Sequence, residues 1–254
     1  MGKATAQLLV QNGYIVYGAA RRTEKMHDLG VKILKMDVSD DTSMQNGIAQ
    51  IIQNEGRVDI LINNAGYGSF GAVEDVPIAE AKYQMEVNVF GLARLMQLVL
   101  PHMRKQQSGK IVNITSTGGK ITSPLGGWYH ASKFAVEALS DSVRMEVKQF
   151  GIDVIVIEPG GVKSEWSDIA MKHLHDVSVG KAYAKMAERI IAFAEKLSPK
   201  NAAPEVIAQL IFKSITTGNP KTRYHAGYMA AAILFMKKVL TDKQFDSLML
   251  SQLK

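Results

Sequence analysis

Tyr129 and Lys133 stand four residues apart in the segment "YHASK". In a helix this spacing puts both side chains on one face. A phenol with an ordinary pKa near ~10 is a poor base at neutral pH, and a neighbouring ammonium stabilises its phenolate. Such a pair could exchange a proton with a substrate oxygen. The chain has eight tyrosines, so one chance Tyr-x-x-x-Lys is unsurprising and the pair alone is weak evidence. Ser116 opens a loop, where serine is common and by itself says little. Asn88 falls inside a long helical stretch, in "EVNVFG". Its side chain competes for main-chain hydrogen bonds, so the position is functional, strained, or simply exposed and tolerant.

These residues need a frame. The segments Tyr14–Ala19, Val31–Met36, Val58–Ile62, Lys110–Thr115 and Ile152–Ile157 read as strands, with a short one near Arg223–His225. Most are nearly continuous in apolar residues, as expected of a parallel sheet covered on both faces. Helical patterns fall between them: Met1–Asn12, Asp40–Glu55, the stretch from Pro77 to about Gln107, and one within 126–150. Further helices are expected near 180–198 and 204–217, and two more close the chain. The fold class is therefore α/β with a doubly wound parallel sheet. No linker, repeat or composition shift divides residues 1–254, so one domain is expected.

In such folds ligands lie at the carboxyl ends of the strands. Arg21 and Arg22 follow the first strand. A solvated turn is the ordinary reading of an isolated Arg-Arg, but at this strand end a guanidinium pair suits a 2′-phosphate by charge and forked geometry. Asp37 and Val38 follow the second strand, and "NNAG" (63–66) follows the third. Each could be a plain turn.

Together these residues resemble the short-chain dehydrogenase/reductase family over nearly the whole chain. "NNAG", Asn88, Ser116 thirteen residues before Tyr129, "YHASK" and "PGGVKS" (159–164) stand in the family's order. The resemblance implies that Tyr129 is the general acid/base, that Lys133 lowers its pKa and holds the nicotinamide ribose, and that Ser116 binds the substrate oxygen. Asn88 would hold a water linking Lys133 to solvent. Asp37 and Val38 would flank the adenine, and Asn64, Ala65 and Gly66 would line the adenosine side. Pro159, Gly160, Val162 and Ser164 would close on the nicotinamide. Arg21 and Arg22 imply NADP rather than NAD. Segment 162–200 would be the substrate loop, with Trp166, Met171, Met186 and Phe193 suggesting an apolar pocket for a lipophilic alcohol or ketone, of steroid, retinoid or lipid type. A homodimer or homotetramer built on the two long central helices is implied too.

The sequence departs from the family at one place. "MGKATAQLL" resembles only the end of its glycine-rich turn, with Gly2 as the third glycine. The first, central strand and two glycines have no counterpart, and two explanations stay open: an upstream start, or a real truncation giving a non-catalytic or cofactor-deficient binding protein. Either way the sheet is expected to carry a gap, with poor stability and weak NADP binding.

Composition narrows the rest. There are no cysteines, which excludes disulfides and thiolate chemistry and fits a reducing cytoplasm. His173 and His175 lie on a probable loop without a third ligand at metal-site spacing, so no metal is expected. The net charge of +6 is a solvated basic surface or an attraction for an anionic small molecule. The basic residues are scattered, which argues against a nucleic-acid partner. No signal peptide is evident. The longest apolar run, Ala226–Met236, falls short of the roughly 20 residues a membrane span needs, leaving weak surface association at this end open.

Overall fold

Two sets of parallel strands form the centre of the molecule. The computed structural model describes residues 1–253. β1 (Tyr17–Ala20) pairs with β2 (Lys32–Lys35), and β3 (Ile60–Asn63), β4 (Gly109–Ile114), β5 (Ile152–Pro159) and β6 (Arg223–Ala226) follow in that order. No ladder joins β1 to β3 among the described residues, so their facing edges are unpaired. The expected gap in the sheet is present.

Helices cover both faces, as a parallel sheet requires. α2 (Asp41–Glu55), α4 (Gly91–Gln106) and α5 (Gly127–Val147) pack on one face, where Met44, Ile48, Met96, Val99 and Val136 meet Leu34, Ile111 and Val154. α1 (Gly2–Gln11) and α8 (Pro204–Thr216) pack on the other, where Leu9, Ile207 and Ile211 meet Val112, Ile155 and Ile157. Ile111 and Val112 are successive residues that serve opposite faces, the period-two signature of a strand. That is why β4 and β5 read as continuous apolar runs.

Local chemistry sets the ends of these elements. Asp40 caps α2, its carboxylate accepting from the Ser43 N–H at 3.1 Å, and Gly56 ends it with φ +71°. The long stretch after Pro77 is helical throughout, as expected, but not uniformly α-helical. α3 (Ile78–Met85) passes through a π turn, Glu86–Phe90, into α4. Asn88 lies in that turn, which explains an asparagine at a buried helical position. Gly91 follows it, and a Cβ there would lie 2.2 Å from the Val38 carbonyl oxygen. Gly91→Ala must therefore push apart α4 and the loop after β2. It is expected to cost about 2 kcal/mol and lower Tm by about 6 °C in a thermal melt.

In the segment from 162 to 200 the expected helix near 180–198 is present, and a second helix precedes it where a loop was expected. α6 (Glu165–Ser178) and α7 (Ala184–Leu197) occupy most of the segment. Both histidines therefore lie on a helix, and His173 turns inward to the Phe70 carbonyl at 2.9 Å. The polar residues on the outer face of α6 hid its amphipathic period. α9 (Ala230–Val239) and α10 (Asp242–Ser251) close the described chain. No described helix is long and apolar enough to cross a membrane.

Candidate active site

The carboxyl ends of β1–β5 bring most of the expected residues to one edge. Ser116 follows β4 and caps a short 3-10 turn, its Oγ accepting from the Gly118 N–H at 3.0 Å. Tyr129 and Lys133 project from adjacent turns of α5 and are both buried, at 7% exposure each. The Lys133 Nζ lies 6.0 Å from the centre of the Tyr129 ring. Buried polar bonds hold α5 against the sheet. Asn63 donates to Asn113 at 2.9 Å, and Asn113 donates to Ser140 at 2.9 Å. His130, beside Tyr129, bonds the Gly118 carbonyl and Ser123 at 2.9 Å each, and so ties the Ser116 turn to α5.

Electrostatics give the two central groups different states. Burial pushes the Tyr129 phenol up to about 12, opposed by its hydrogen bond with Ser116. Burial pulls Lys133 down to about 8, opposed by the Glu137 carboxylate. A depressed phenol pKa is thus not what the free chain provides. Desolvation sets the phenol's pKa, and the Lys133 ammonium donates away from the phenol to the Ile114 carbonyl at 3.0 Å. The phenol is neutral at physiological pH, the state of a proton donor.

Asn88 is committed through its side chain. Its Oδ1 accepts from the Tyr67 N–H at 3.0 Å, and its Nδ2 donates to the Tyr67 carbonyl at 2.9 Å and to Ser132 at 3.0 Å. It thereby fixes the loop after β3 against α5.

The apolar side of Tyr129 is formed by Phe70 and Trp166, with ring centres 5.5 Å and 5.0 Å away. Met171 and Met186 pack into the same cluster, whereas Phe193 does not. Phe70, Ser132 and His130 carried no sequence signal of their own, since each stands in an ordinary local pattern.

The groups expected for a dinucleotide can be tested against this geometry. Lys133 has three donor hydrogens and one protein acceptor among the described hydrogen bonds, although buried. A Cβ at Gly66 would lie 3.1 Å from Asn88 Oδ1 and 3.6 Å from Lys133 Nζ, so glycine keeps this approach open. Gly2 abuts Asn64, where a Cβ would lie 2.8 Å from its Nδ2, and it places the N-terminus of α1 beside the loop of Asn64, Ala65 and Gly66. Asp37 would be raised by burial, but the Ser39 N–H and hydroxyl, at 2.9 and 2.7 Å, outweigh this and hold its carboxyl below the usual range. Arg21 and Arg22 are exposed just beyond β1, with Arg21 donating to the Tyr83 hydroxyl at 3.0 Å. Past β5, Gly161 bridges to Tyr228 and Val162 to Ala202, while Ser164 precedes α6 with its side chain free of a capping bond. The residues fit an extended dinucleotide.

A profile described as short chain dehydrogenase matches residues 1–174. The chain belongs to the short-chain dehydrogenase family. It is 37% identical over 238 residues to the 3-ketodihydrosphingosine reductase of Bacteroides thetaiotaomicron, covering 93% of this chain and 87% of that one. It is 35% identical over 252 residues to the probable short-chain type dehydrogenase/reductase VdlC of Helicobacter pylori, covering 98% and 92%. Among solved structures, a short-chain dehydrogenase from Streptomyces avermitilis superimposes with a TM-score of 0.80 at 31% identity, covering 98% and 91%. As a short-chain dehydrogenase/reductase the chain is an oxidoreductase acting on CH–OH or C=O groups, in a family that uses nicotinamide cofactors.

Proposed function

We propose that this oxidoreductase uses NADPH to reduce a lipophilic ketone at Tyr129. The observation that carries the reading is the buried, neutral phenol of Tyr129, walled by Phe70 and Trp166. A carbonyl oxygen placed there accepts the phenolic proton while the Ser116 hydroxyl donates to the charge that builds on it. The bound dinucleotide supplies the hydride. The remaining work belongs to this chain. Lys133 holds the nicotinamide ribose through its free donors and, as an ammonium, favours the phenolate left after transfer. The Asn88 carbonyl holds a water through which Lys133 regains contact with solvent. Trp166, Met171 and Phe70 exclude water from the apolar part of the substrate.

The 2′-phosphate of the cofactor falls to Arg21 and Arg22. Arg21→Asp with Arg22→Ala is expected to weaken NADPH binding on the order of tens-fold while leaving NADH binding within a factor of about two. Equal losses for both, measured by fluorescence titration, would remove the case for NADP. For substrate, the Bacteroides relative makes 3-ketodihydrosphingosine the first compound to test. NADPH consumption with it, and not with small hydrophilic ketones, is the expected result. The reverse order of activity would overturn the lipophilic assignment.

Assembly follows from the exposed apolar side chains near and on the long central helices. Phe90, Phe134 and Met145 are 56%, 42% and 69% exposed. A homo-oligomer burying them is expected, with its size read by light scattering.

A further inference from the structure

Behind the reacting groups lies a second set of charges that the chemistry above does not use. Glu137 and Glu158 are each 3% exposed. Glu137 is one helical turn beyond Lys133 on α5, and Glu158 immediately precedes Pro159 at the end of β5. The Glu137 Oε1 accepts from the Thr115 hydroxyl at 2.7 Å, and Thr115 adjoins Ser116. Its Oε2 meets Arg223 Nε at 2.9 Å and Lys120 Nζ at 2.9 Å. Arg223, on β6, also donates to Asp141 at 2.7 Å and lies 3.7 Å from Glu158. One carboxylate thus joins the end of β4, the turn after Ser116, the lysine turn of α5 and β6. Two buried carboxylates this close are costly unless they do something for the site, because each loses its water.

We propose that Glu137 and Glu158 are positioning residues of this active site, a buried pair that locks the strand ends carrying Ser116 and Pro159 to the helical turn of Lys133 and keeps Lys133 an ammonium. The inference rests on the role given to Lys133 above. The pair does not touch the substrate site. It acts through Lys133 and through the backbone of Thr115 and Glu158.

The surrounding charges decide how the pair behaves. On α5 they are Lys133, Asp141 and Arg144, with Arg144 paired to Asp141. Lys120 comes from the turn after Ser116, and β6 supplies Arg223 together with His225, which is in register with Glu158. Arg223 and Lys120 both face the Glu137 carboxylate at 2.9 Å. Burial, and then the neighbouring Glu137 charge, push Glu158 up to about 7 despite those cations. Below that pH Glu158 carries its proton. Above it, a second negative charge stands beside the Lys133 turn, and it arrives just before Lys133 itself would lose its proton.

The test is Glu137→Gln and Glu158→Gln in the full chain, read two ways. Side-chain nitrogen NMR of labelled lysine follows the Lys133 titration directly, with Lys133→Met assigning the signal. The pH profile of ketone reduction gives the alkaline limb. Glu137→Gln is expected to lower the Lys133 midpoint and the alkaline limb together by about one pH unit. Glu158→Gln is expected to move both in the same direction by less, and serves alone if the first variant fails to fold. A purely structural role predicts a lower Tm with neither midpoint moved, and that result would overturn the proposal. If Lys133→Met retains full turnover, the role of Lys133 fails instead, and the NMR shift still reports on the pair.

Discussion

Replacing Tyr129 with phenylalanine should lower ketone reduction by about 10³-fold or more while leaving dinucleotide affinity nearly unchanged. The phenol oxygen is the group that hands over the proton, and phenylalanine keeps the ring that packs on Phe70 and Trp166. The fold should survive, because the substitution removes one hydroxyl and keeps the buried ring in its packing. Steady-state kinetics with NADPH, paired with a binding titration and a thermal melt, checks all three parts. Undiminished turnover would show that another group donates the proton.

Lys133→Met should abolish turnover and make the protein more stable. A lysine pulled down to about 8 binds its proton less readily in the folded chain than in the unfolded one, near 10.5. Below about pH 8 the folded state therefore carries the cost of a buried ammonium. As pH rises from 8 towards 10.5 the unfolded chain holds the extra proton, and the cost is progressively relieved. A methionine of similar length removes it at every pH. The full shift corresponds to at most about 3 kcal/mol, so a rise in Tm of about 5 °C at pH 7 is expected, shrinking as the melt is repeated at higher pH. A fall in Tm at pH 7 would mean that the bond to the Ile114 carbonyl outweighs the desolvation. A gain in stability with loss of activity marks a residue kept for function at the expense of the fold.

Much of the frame was legible because the physics is local. β4 and β5 are short apolar runs, and Asp40 announces the start of α2 with an acceptor three residues before Ser43. The site residues that follow strands were legible because topology places strand ends together. Other features were not. α6 was read as loop because its polar outer face obscured its period, and its two histidines went with it. The π turn at Glu86–Phe90 is set by the tertiary bonds of Asn88, and no local pattern announces it. Glu137 looks like a surface residue on any helical projection of α5, and its burial is made tolerable by Arg223, 86 residues away, together with Lys120 and Thr115. The phenol's raised pKa had the same origin, since burial beneath α6 decides it and the Tyr-Lys spacing does not.

The unpaired seam between β1 and β3 divides the molecule by function as well as by hydrogen bonding. Arg21, Arg22 and Asp37 belong to the two-stranded side, and Ser116, Tyr129 and Lys133 to the four-stranded side. With no ladder across the seam, the smaller piece is held by helix packing and a few side-chain bonds such as Arg21–Tyr83 and Arg94–Asp41, and it should open as a unit before β4 and β5 do. Amide hydrogens of Gly18, Ala19 and Leu34 should then exchange far sooner than those of Val112 and Ile155. A dinucleotide reaching from Arg21 to Lys133 would staple the two pieces, so its binding should be written in the exchange rates of β1 and β2, while the sheet where the chemistry takes place hardly registers it.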